Sequence, residues 1–200
     1  MSTTEEPFII PTDEDVILYH QVWRALLLGS PRRPSLPLKL VRHISTYCRW
    51  VLPDRVHEEK VQVRCISYGT LSQTRWFAIA PPTDGDLRRL AAIQLLTIGK
   101  DQGWANYPEH GSYSWYEVRI GRLNGGSAPA ARWRSHYNEL CGRAFARSAG
   151  PLHPVHVEEW GADDVIGVWA CAQFRGWSNT GEAAELRFYK WFQPVIPLGD

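Results

Sequence analysis

The sequence predicts a mainly β protein: an antiparallel β-sandwich, jelly-roll-like, with an N-terminal helical pair. Two observations indicate this fold. Apolar residues recur about every 3.6 positions between residues 12 and 52, and alternate with a period of 2 beyond that point. The later part also consists of short strand-like segments separated by Gly and Pro turns, which is typical of sandwiches. We therefore expect a helical segment over 1–55 and a β-sandwich domain over 56–200.

The first helix is predicted over residues 12–29. Thr12 is a suitable N-cap, and Asp15 lies three residues later in capping-box spacing. Gly29, with Pro31 two residues later, is expected to end the helix. One face of this helix is apolar: Val16, Tyr19, Val22, Trp23, Leu26 and Leu27.

A second helix is predicted from Ser35, which can act as its N-cap, to Pro53, which ends it. Pro37 suits the first helical turn because its missing N–H is unpaired there in any helix. The expected apolar stripe contains Leu40, Val41, Ile44, Tyr47, Cys48 and Val51.

Strands are predicted beyond the helices from alternating apolar residues. The segment 86–99 is ambiguous, and we favour a helical turn near 86–90 followed by a strand. The clearer strands are 61–69, 75–80, 114–121, 164–174 and 184–196, with a further one expected at 153–160.

An arginine-rich insertion over about 122–150 interrupts the strand pattern. It holds five arginines against one glutamate, and a short helix is compatible with residues 132–147. Such a stretch is either a solvated loop or a phosphate or nucleic-acid contact. We favour the solvated loop and expect no nucleic-acid partner, because the net charge of the chain is only +1.

Composition and motifs argue against several protein classes. The chain is 44% hydrophobic and 22% charged, as expected of a globular protein. Its four cysteines lack metal-like spacing, and we expect free thiols, no metal and no cofactor. No signal peptide or membrane-spanning run is recognised, so we expect no membrane partner and a cytoplasmic or nuclear location. Neither a nucleophile elbow nor a P-loop is present.

The candidate site comes from two similar turns, KDQGW (100–104) and FRGWSN (174–179). Loops gather at the ends of a sandwich, so the two Gly-Trp turns are expected to form one aromatic rim. Tryptophans would stack on a flat, glycan-like ligand or a protein partner, and polar side chains would orient it, as in a lectin-like module. The predicted ligand-binding residues are Asp101, Gln102, Trp104, Trp115, Glu117, Trp177 and Asn179.

Two other interpretations stay open. The aromatic residues are also explained as the packing of a β core, in which Asp101 only caps a turn. A small enzyme would have to use Glu109, Glu117 or His110, since carboxylates beside aromatic rings occur in sugar hydrolysis. We predict no catalytic residues and lean towards a binding module.

Two stretches resemble known families. SLPLKLVRHISTYCRWV (35–51) resembles the leucine–proline-led helix of an F-box, although a full F-box needs about three helices. The segments 93–118, 133–139 and 164–186 resemble an uncharacterised fungal β domain found behind such helices. The resemblance implies a substrate receptor of a ubiquitin ligase, with a Skp-type adaptor contacting Leu36, Leu40 and Ile44. It implies no reaction.

Overall fold

The computed structural model describes residues 8–80, 87–122, 129–156, 160 and 163–194. Two helices come first: α1 (Asp13–Leu28) and α2 (Leu38–Tyr47). The strands follow in chain order: β1 (Val51–Glu59), β2 (Val63–Ile66), β3 (Ser72–Ile79), β4 (Leu90–Lys100), β5 (Ser114–Arg122), β6 (Ala131–Tyr137), β7 (Ala146–Ala149), β8 (His153–Pro154), β9 (Asp164–Ala172) and β10 (Ser178–Trp191).

The strands form two antiparallel sheets packed face to face. The first sheet has the order β1-β10-β4-β7, with the short strands β2 and β8 added on β10 and β4; the second has the order β3-β9-β5-β6. Without β2 and β8, the remaining strands stand in the order first-eighth-third-sixth and second-seventh-fourth-fifth. This is the strand order of a jelly roll, in which the chain crosses repeatedly between the sheets. The predicted fold class is confirmed.

Helix α1 begins as predicted. The Thr12 hydroxyl accepts from the backbone N–H of Asp15 at 3.2 Å, and the Asp15 carboxylate accepts the Thr12 N–H at 2.9 Å. Gly29 is the C-cap, with a positive φ of 66°. In the described part of the chain, no helix is long and apolar enough to cross a membrane.

Helix α2 is shorter than predicted, and this is a correction. Its N-cap is Pro37, it ends at Tyr47, and Pro53 lies inside strand β1. Among the strands that the structure describes, β1 is an edge strand paired only with β10, and its register shifts between Pro53 and Val56. A proline is tolerated there because an edge strand has backbone groups that need no ladder partner.

The helical pair packs on the end of the first sheet. Phe192, just beyond β10, meets the Trp23 ring edge-on at 5.6 Å, and both side chains are buried with Val41. Burial of these three side chains fixes the helices to the sandwich, because fully buried apolar side chains contribute about 1.5–3 kcal/mol each.

The arginine-rich stretch is a second correction. Residues 132–147 form no helix; β6 pairs with β5, and β7 pairs with β4. The reason is a period of two: Trp133 and Ser135 face inward, while the neighbouring Arg132 and Arg134 are exposed. Positions 123–128 lie outside the described residues.

Several strand boundaries also differ from the prediction. The strand expected at 184–196 begins at Ser178, and among the described residues of 153–160 only His153–Pro154 is strand. Residues 157–159 and 195–196 lie outside the described part, as does residue 86 of the predicted helical turn.

Candidate functional site

The two Gly-Trp turns meet at one end of the jelly roll. The backbone N–H of Ser178 donates to Oε1 of Gln102 at 3.2 Å, which ties the turn before β10 to the turn after β4. Gly103 and Gly176 have positive φ values of 83° and 91°, a conformation that favours glycine. The tight turns that the two glycines allow bring Trp104 beside Gly176.

Trp104 is the one tryptophan in the described part of the chain that is exposed. Its relative exposure is 52%, whereas the other nine tryptophans are buried or half-buried. Gln102 holds the turn by donating from Nε2 to the Trp104 carbonyl oxygen at 2.6 Å. An indole left half in water is available to a ligand without any rearrangement of the core.

A groove of about 790 Å³ runs beside Trp104 on the outer face of the first sheet. We call it the Trp104 groove. Its volume lies within the 300–1,000 Å³ typical of small-molecule sites. The lining side chains that matter most are Arg64, Lys100, Gln102, Trp104, Arg143 and Thr180.

The floor of the Trp104 groove is a row across three neighbouring strands. Thr180 of β10 lies opposite Arg64 of β2 on one side and opposite Lys100 of β4 on the other. Side chains at paired positions share one face of a sheet. The two cations therefore flank Thr180 at roughly 10 Å from each other, twice the spacing of adjacent strands.

The groove carries positive charge with little to neutralise it. Within the described ranges, no carboxylate lies within 4 Å of Arg64, Lys100 or Arg143. The Lys100 ammonium instead sits 4.5 Å from the centre of the Phe145 ring. An anionic ligand would meet these cations without first breaking an ion pair.

Asp101 borders the groove but serves the fold. Its side chain is 4% exposed, and its carboxylate accepts backbone N–H groups from Gly103 at 2.6 Å and from Cys141 at 2.7 Å. The carboxylate thus holds the β6–β7 loop, which carries Arg143, against the rim.

Trp177 and Asn179 point away from the groove. Trp177 is half-buried and meets the Tyr113 ring edge-on at 5.3 Å. Asn179 is fully buried: its Nδ2 donates to the Trp115 carbonyl oxygen at 2.7 Å, and its Oδ1 accepts from Asn138 at 2.9 Å. For these two positions, packing explains the residue better than ligand contact.

Trp115 and Glu117 lie on the outer face of the second sheet, and neither lines the Trp104 groove. Both are 3% exposed. Nε1 of Trp115 donates to Glu117 at 2.8 Å, and the Arg134 guanidinium covers the Trp115 ring at 4.5 Å. The predicted site is therefore divided: Asp101, Gln102 and Trp104 come together at the rim, and the other four predicted residues do not join them.

Glu117 is poorly suited to acid–base chemistry. Its two oxygens accept hydrogen bonds from Trp115, Arg119 and Arg132 at 2.7–3.1 Å. Burial would raise the pKa of Glu117, but these hydrogen bonds outweigh burial and hold the pKa below its usual value. The other candidates, Glu109 and His110, are exposed on the short 3-10 turn Pro108–His110.

The two buried thiols are also poor nucleophiles. All four cysteines are free, and Cys65 and Cys171 are buried. Burial raises the pKa of Cys171 to about 12 and raises the pKa of Cys65 as well. A thiol with a raised pKa holds almost no reactive thiolate at neutral pH. Within the described residues, no three His, Cys, Asp or Glu side chains converge on a metal position.

The predicted adaptor residues differ in their exposure. Leu40 is 50% exposed on α2, while Ile44 is half-buried. Leu36 is half-buried between the helices, where its N–H donates to the Leu26 carbonyl oxygen at 2.9 Å. Of the three, Leu40 is the side chain most accessible to a partner.

The cationic side chains that line the Trp104 groove were not predicted as site residues from the sequence. The alternation of β2, with buried Val63 and Cys65, places Arg64 on the outer face and could have identified it. The pairing of Arg64 and Lys100 across Thr180 depends on the register of three strands that are distant in sequence. A single sequence carries no signal for that register.

Comparison with known proteins assigns no family to this chain. No family model matches it, and no curated protein matches it. Solved structures of infectious bursal disease virus are similar in fold: the Gx strain at 12% identity and TM-score 0.38, over 68% of this chain and 36% of that chain. The VP2 subviral particle of the same virus gives 11% identity and TM-score 0.38, over 70% and 38%. This chain thus spans little more than a third of those viral chains. The jelly roll is identified from the strand order of this chain itself.

Proposed function

We propose that this chain is a non-catalytic binding module whose ligand, a glycan-like molecule bearing acidic groups, occupies the Trp104 groove. The observation that carries the proposal is the half-exposed Trp104 indole on the wall of a groove that also presents Arg64, Lys100 and Arg143. An aromatic face and several cations in one concave surface are what an acidic saccharide requires.

The two kinds of side chain have separate roles. The indole provides a flat apolar surface for the C–H face of a sugar ring, and it costs little conformational entropy because it has two rotatable bonds. The cations would pair with carboxylate or sulfate groups in charge-assisted hydrogen bonds, which are roughly twice as strong as neutral ones. Thr180 adds a hydroxyl between the cations.

The positions and hydrogen bonds of the candidate catalytic side chains favour binding over catalysis. The three candidate catalytic side chains do not combine into one cleft, and Glu117 has its oxygens occupied by Trp115, Arg119 and Arg132. The groove itself is lined by cations, two amides, two hydroxyl groups and apolar side chains. Its one carboxylate, Asp101, is held by backbone N–H groups.

A fluorescence titration tests this function. Purified protein is titrated with a galacturonic acid oligomer and, in parallel, with the uncharged galactose oligomer of equal length. We expect saturable quenching by the acidic oligomer, at least tenfold weaker binding in Trp104→Ala, and unchanged binding in Trp191→Phe, a half-buried tryptophan of β10. Equal binding of both oligomers, or equal affinity in Trp104→Ala, would contradict the proposal.

A second candidate function is adaptor binding by the helical pair. It is favoured by the exposed apolar side chains of α2, Leu40 at 50% and Tyr47 at 90%. A Skp-type adaptor would cover these side chains, as the resemblance to an F-box helix implies. Co-purification with a Skp-type adaptor should be lost in Leu40→Asp and retained in Leu18→Asp, an exposed leucine of α1. Retention of the adaptor by Leu40→Asp would rule the candidate out.

A further inference from the structure

A second concave site lies on the outer face of the second sheet. It is a cavity of about 240 Å³, and four arginines line it: Arg75, Arg119, Arg122 and Arg132. We call it the arginine pocket. It shares no lining residue with the Trp104 groove. The whole chain has a net charge of only +1, so four guanidiniums in one small cavity are a local concentration of charge.

Strand register brings the arginines together from three strands. Arg119 of β5 lies opposite Arg132 of β6 and opposite Gly167 of β9. In the neighbouring row, Arg75 of β3 lies opposite Trp169 of β9. Paired side chains stand on the same face of the sheet, so these arginines border one small area.

Small residues make that area concave. Gly167 lies between Arg119 and Ala78, and Gly121 lies opposite Val165 in the next row. A methyl group at Gly167 would meet Nε1 of Trp169 at 3.2 Å. Because the glycines have no side chains, the surface between the guanidiniums is recessed. The Trp169 ring borders this recess.

Two of the arginines are held in position by a buried carboxylate. Glu117, with its side chain 4% exposed, accepts from Arg119 at 2.7 Å and from Arg132 at 2.8 Å. Arg119 also lies 4.3 Å from the centre of the Trp169 ring. These contacts fix the guanidinium planes before any ligand arrives, which lowers the entropic cost of binding.

The other two arginines have free binding capacity. In the described part of the chain, neither Arg75 nor Arg122 has a carboxylate within 4 Å. Four guanidiniums against the carboxylates of Glu117 and of Asp164, which lies opposite Arg122, leave a formal local charge of +2. Arg75 and Arg122 are both exposed, and both line this cavity.

We propose that the arginine pocket binds a phosphate-type oxyanion, the phosphate group of a small phosphorylated ligand. A carboxylate has two acceptor oxygens. Arg119 and Arg132 already donate to one carboxylate, that of Glu117. A phosphate monoester carries close to two negative charges at pH 7 and three acceptor oxygens, which matches two further guanidiniums. The volume is below that of sites for drug-sized ligands, so the pocket takes the charged group and little else.

Isothermal titration with inorganic phosphate tests the proposal. The protein is titrated at constant ionic strength in chloride buffer, and acetate replaces phosphate in a parallel titration. We expect one saturable phosphate site and no acetate site. Arg75→Gln and Arg122→Gln should each weaken phosphate binding by about tenfold, as expected for loss of one charge-assisted contact. Arg24→Gln, the same charge change on α1, should leave phosphate affinity within about twofold.

Three results would overturn the proposal. The first is the absence of phosphate binding by the wild-type protein at about 10 mM. The second is a comparable affinity for acetate. The third is loss of phosphate binding in Arg64→Gln with full retention in Arg75→Gln, which would move the anion to the Trp104 groove. Arg75 and Arg122 are exposed, so their substitution leaves the core intact, and unchanged far-ultraviolet circular dichroism verifies this.

Discussion

Gly176 lies directly against the indole ring of Trp104. A methyl group at position 176 would meet Cη2 of that ring at 3.4 Å and Cζ2 at 3.5 Å. The turn between β9 and β10 therefore supports the tryptophan that follows β4, although more than seventy positions separate the two along the chain. This contact determines how the Trp104 ring is presented to the groove.

Gly176→Ala is expected to perturb Trp104. The φ of 91° at this position strains any other residue by about 1–2 kcal/mol, and the added methyl group would lie in van der Waals contact with the ring and shield part of it. We expect a lower free energy of unfolding and altered acrylamide quenching of Trp104. Gly111→Ala is the matched control, because its φ is 81° and an added methyl group would meet nothing within 4 Å. Identical quenching in the two variants would contradict the contact.

Asn179→Ala is expected to lower the free energy of unfolding by about 3 kcal/mol. It removes the donor to the Trp115 carbonyl oxygen and the acceptor for one N–H of the buried Asn138 amide, whose nitrogen keeps only its hydrogen bond to Ser114. Urea unfolding measures the loss. Asn106→Ala, in an exposed loop, should change the free energy by less than about 0.5 kcal/mol. A small loss at Asn179 would instead favour the ligand role predicted for it.

Glu117→Gln is expected to destabilise the second sheet by about 2–3 kcal/mol. The substitution removes the charge that Arg119 and the exposed Arg132 share, and it leaves the largely buried Arg119 guanidinium without a counter-charge. Glu185→Gln is the matched control, since Glu185 also pairs with two arginines, Arg147 and Arg187, but is 31% exposed. Its loss should stay below about 1 kcal/mol, as for surface ion pairs. Equal losses would show that burial of Glu117 adds nothing.

His136 is expected to make stability depend on pH. Burial lowers the pKa of His136 to about 4, and its ring nitrogens contact Thr97 and Ser135 at 2.8 and 2.9 Å. The unfolded chain binds a proton here below about pH 6.5, while the folded chain does so only near pH 4. Stability present above pH 6.5 is therefore lost as the pH falls through this window, by up to about 3 kcal/mol.

Urea unfolding at several pH values, on the wild type and on His136→Gln, isolates this histidine. Glutamine keeps a hydrogen-bonding side chain but does not titrate. The difference between the two proteins should shrink as the pH falls from 6.5 to 4. A difference that is constant across this range would show that His136 titrates alike in the folded and unfolded chains.

The helical start and the jelly-roll class could be predicted because their signals are local. The capping box is recognised from Thr12 and Asp15, which lie three positions apart. Strand β5 is recognised from the alternation of its own residues. The end of α2 was mispredicted because Pro53 has two physical explanations. It can stop a helix, or it can lie on an edge strand, and only the pairing of β1 with β10 decides between them.

The candidate site was predictable in part. The sequence pattern indicated that two Gly-Trp turns share one end of the sandwich, and Gln102 with Ser178 joins them. The exposure of Trp104 and the burial of Trp115 were not predictable. Both belong to similar aromatic segments, and what separates them is Arg134, which covers Trp115 from the neighbouring strand β6. The cation row of Arg64 and Lys100 likewise depends on long-range register.

Contact between the ligand and Trp104 in the groove is the basis of the proposed function. The most direct measurement follows the ten tryptophan indole N–H signals by nuclear magnetic resonance while a galacturonic acid oligomer is added, with the Trp104 signal assigned from Trp104→Phe. We predict that the Trp104 signal shifts saturably, while the buried Trp115 and the half-buried Trp177 signals stay in place. An unchanged Trp104 signal at saturating oligomer, or a saturable shift confined to other tryptophans, would show that the oligomer does not contact Trp104.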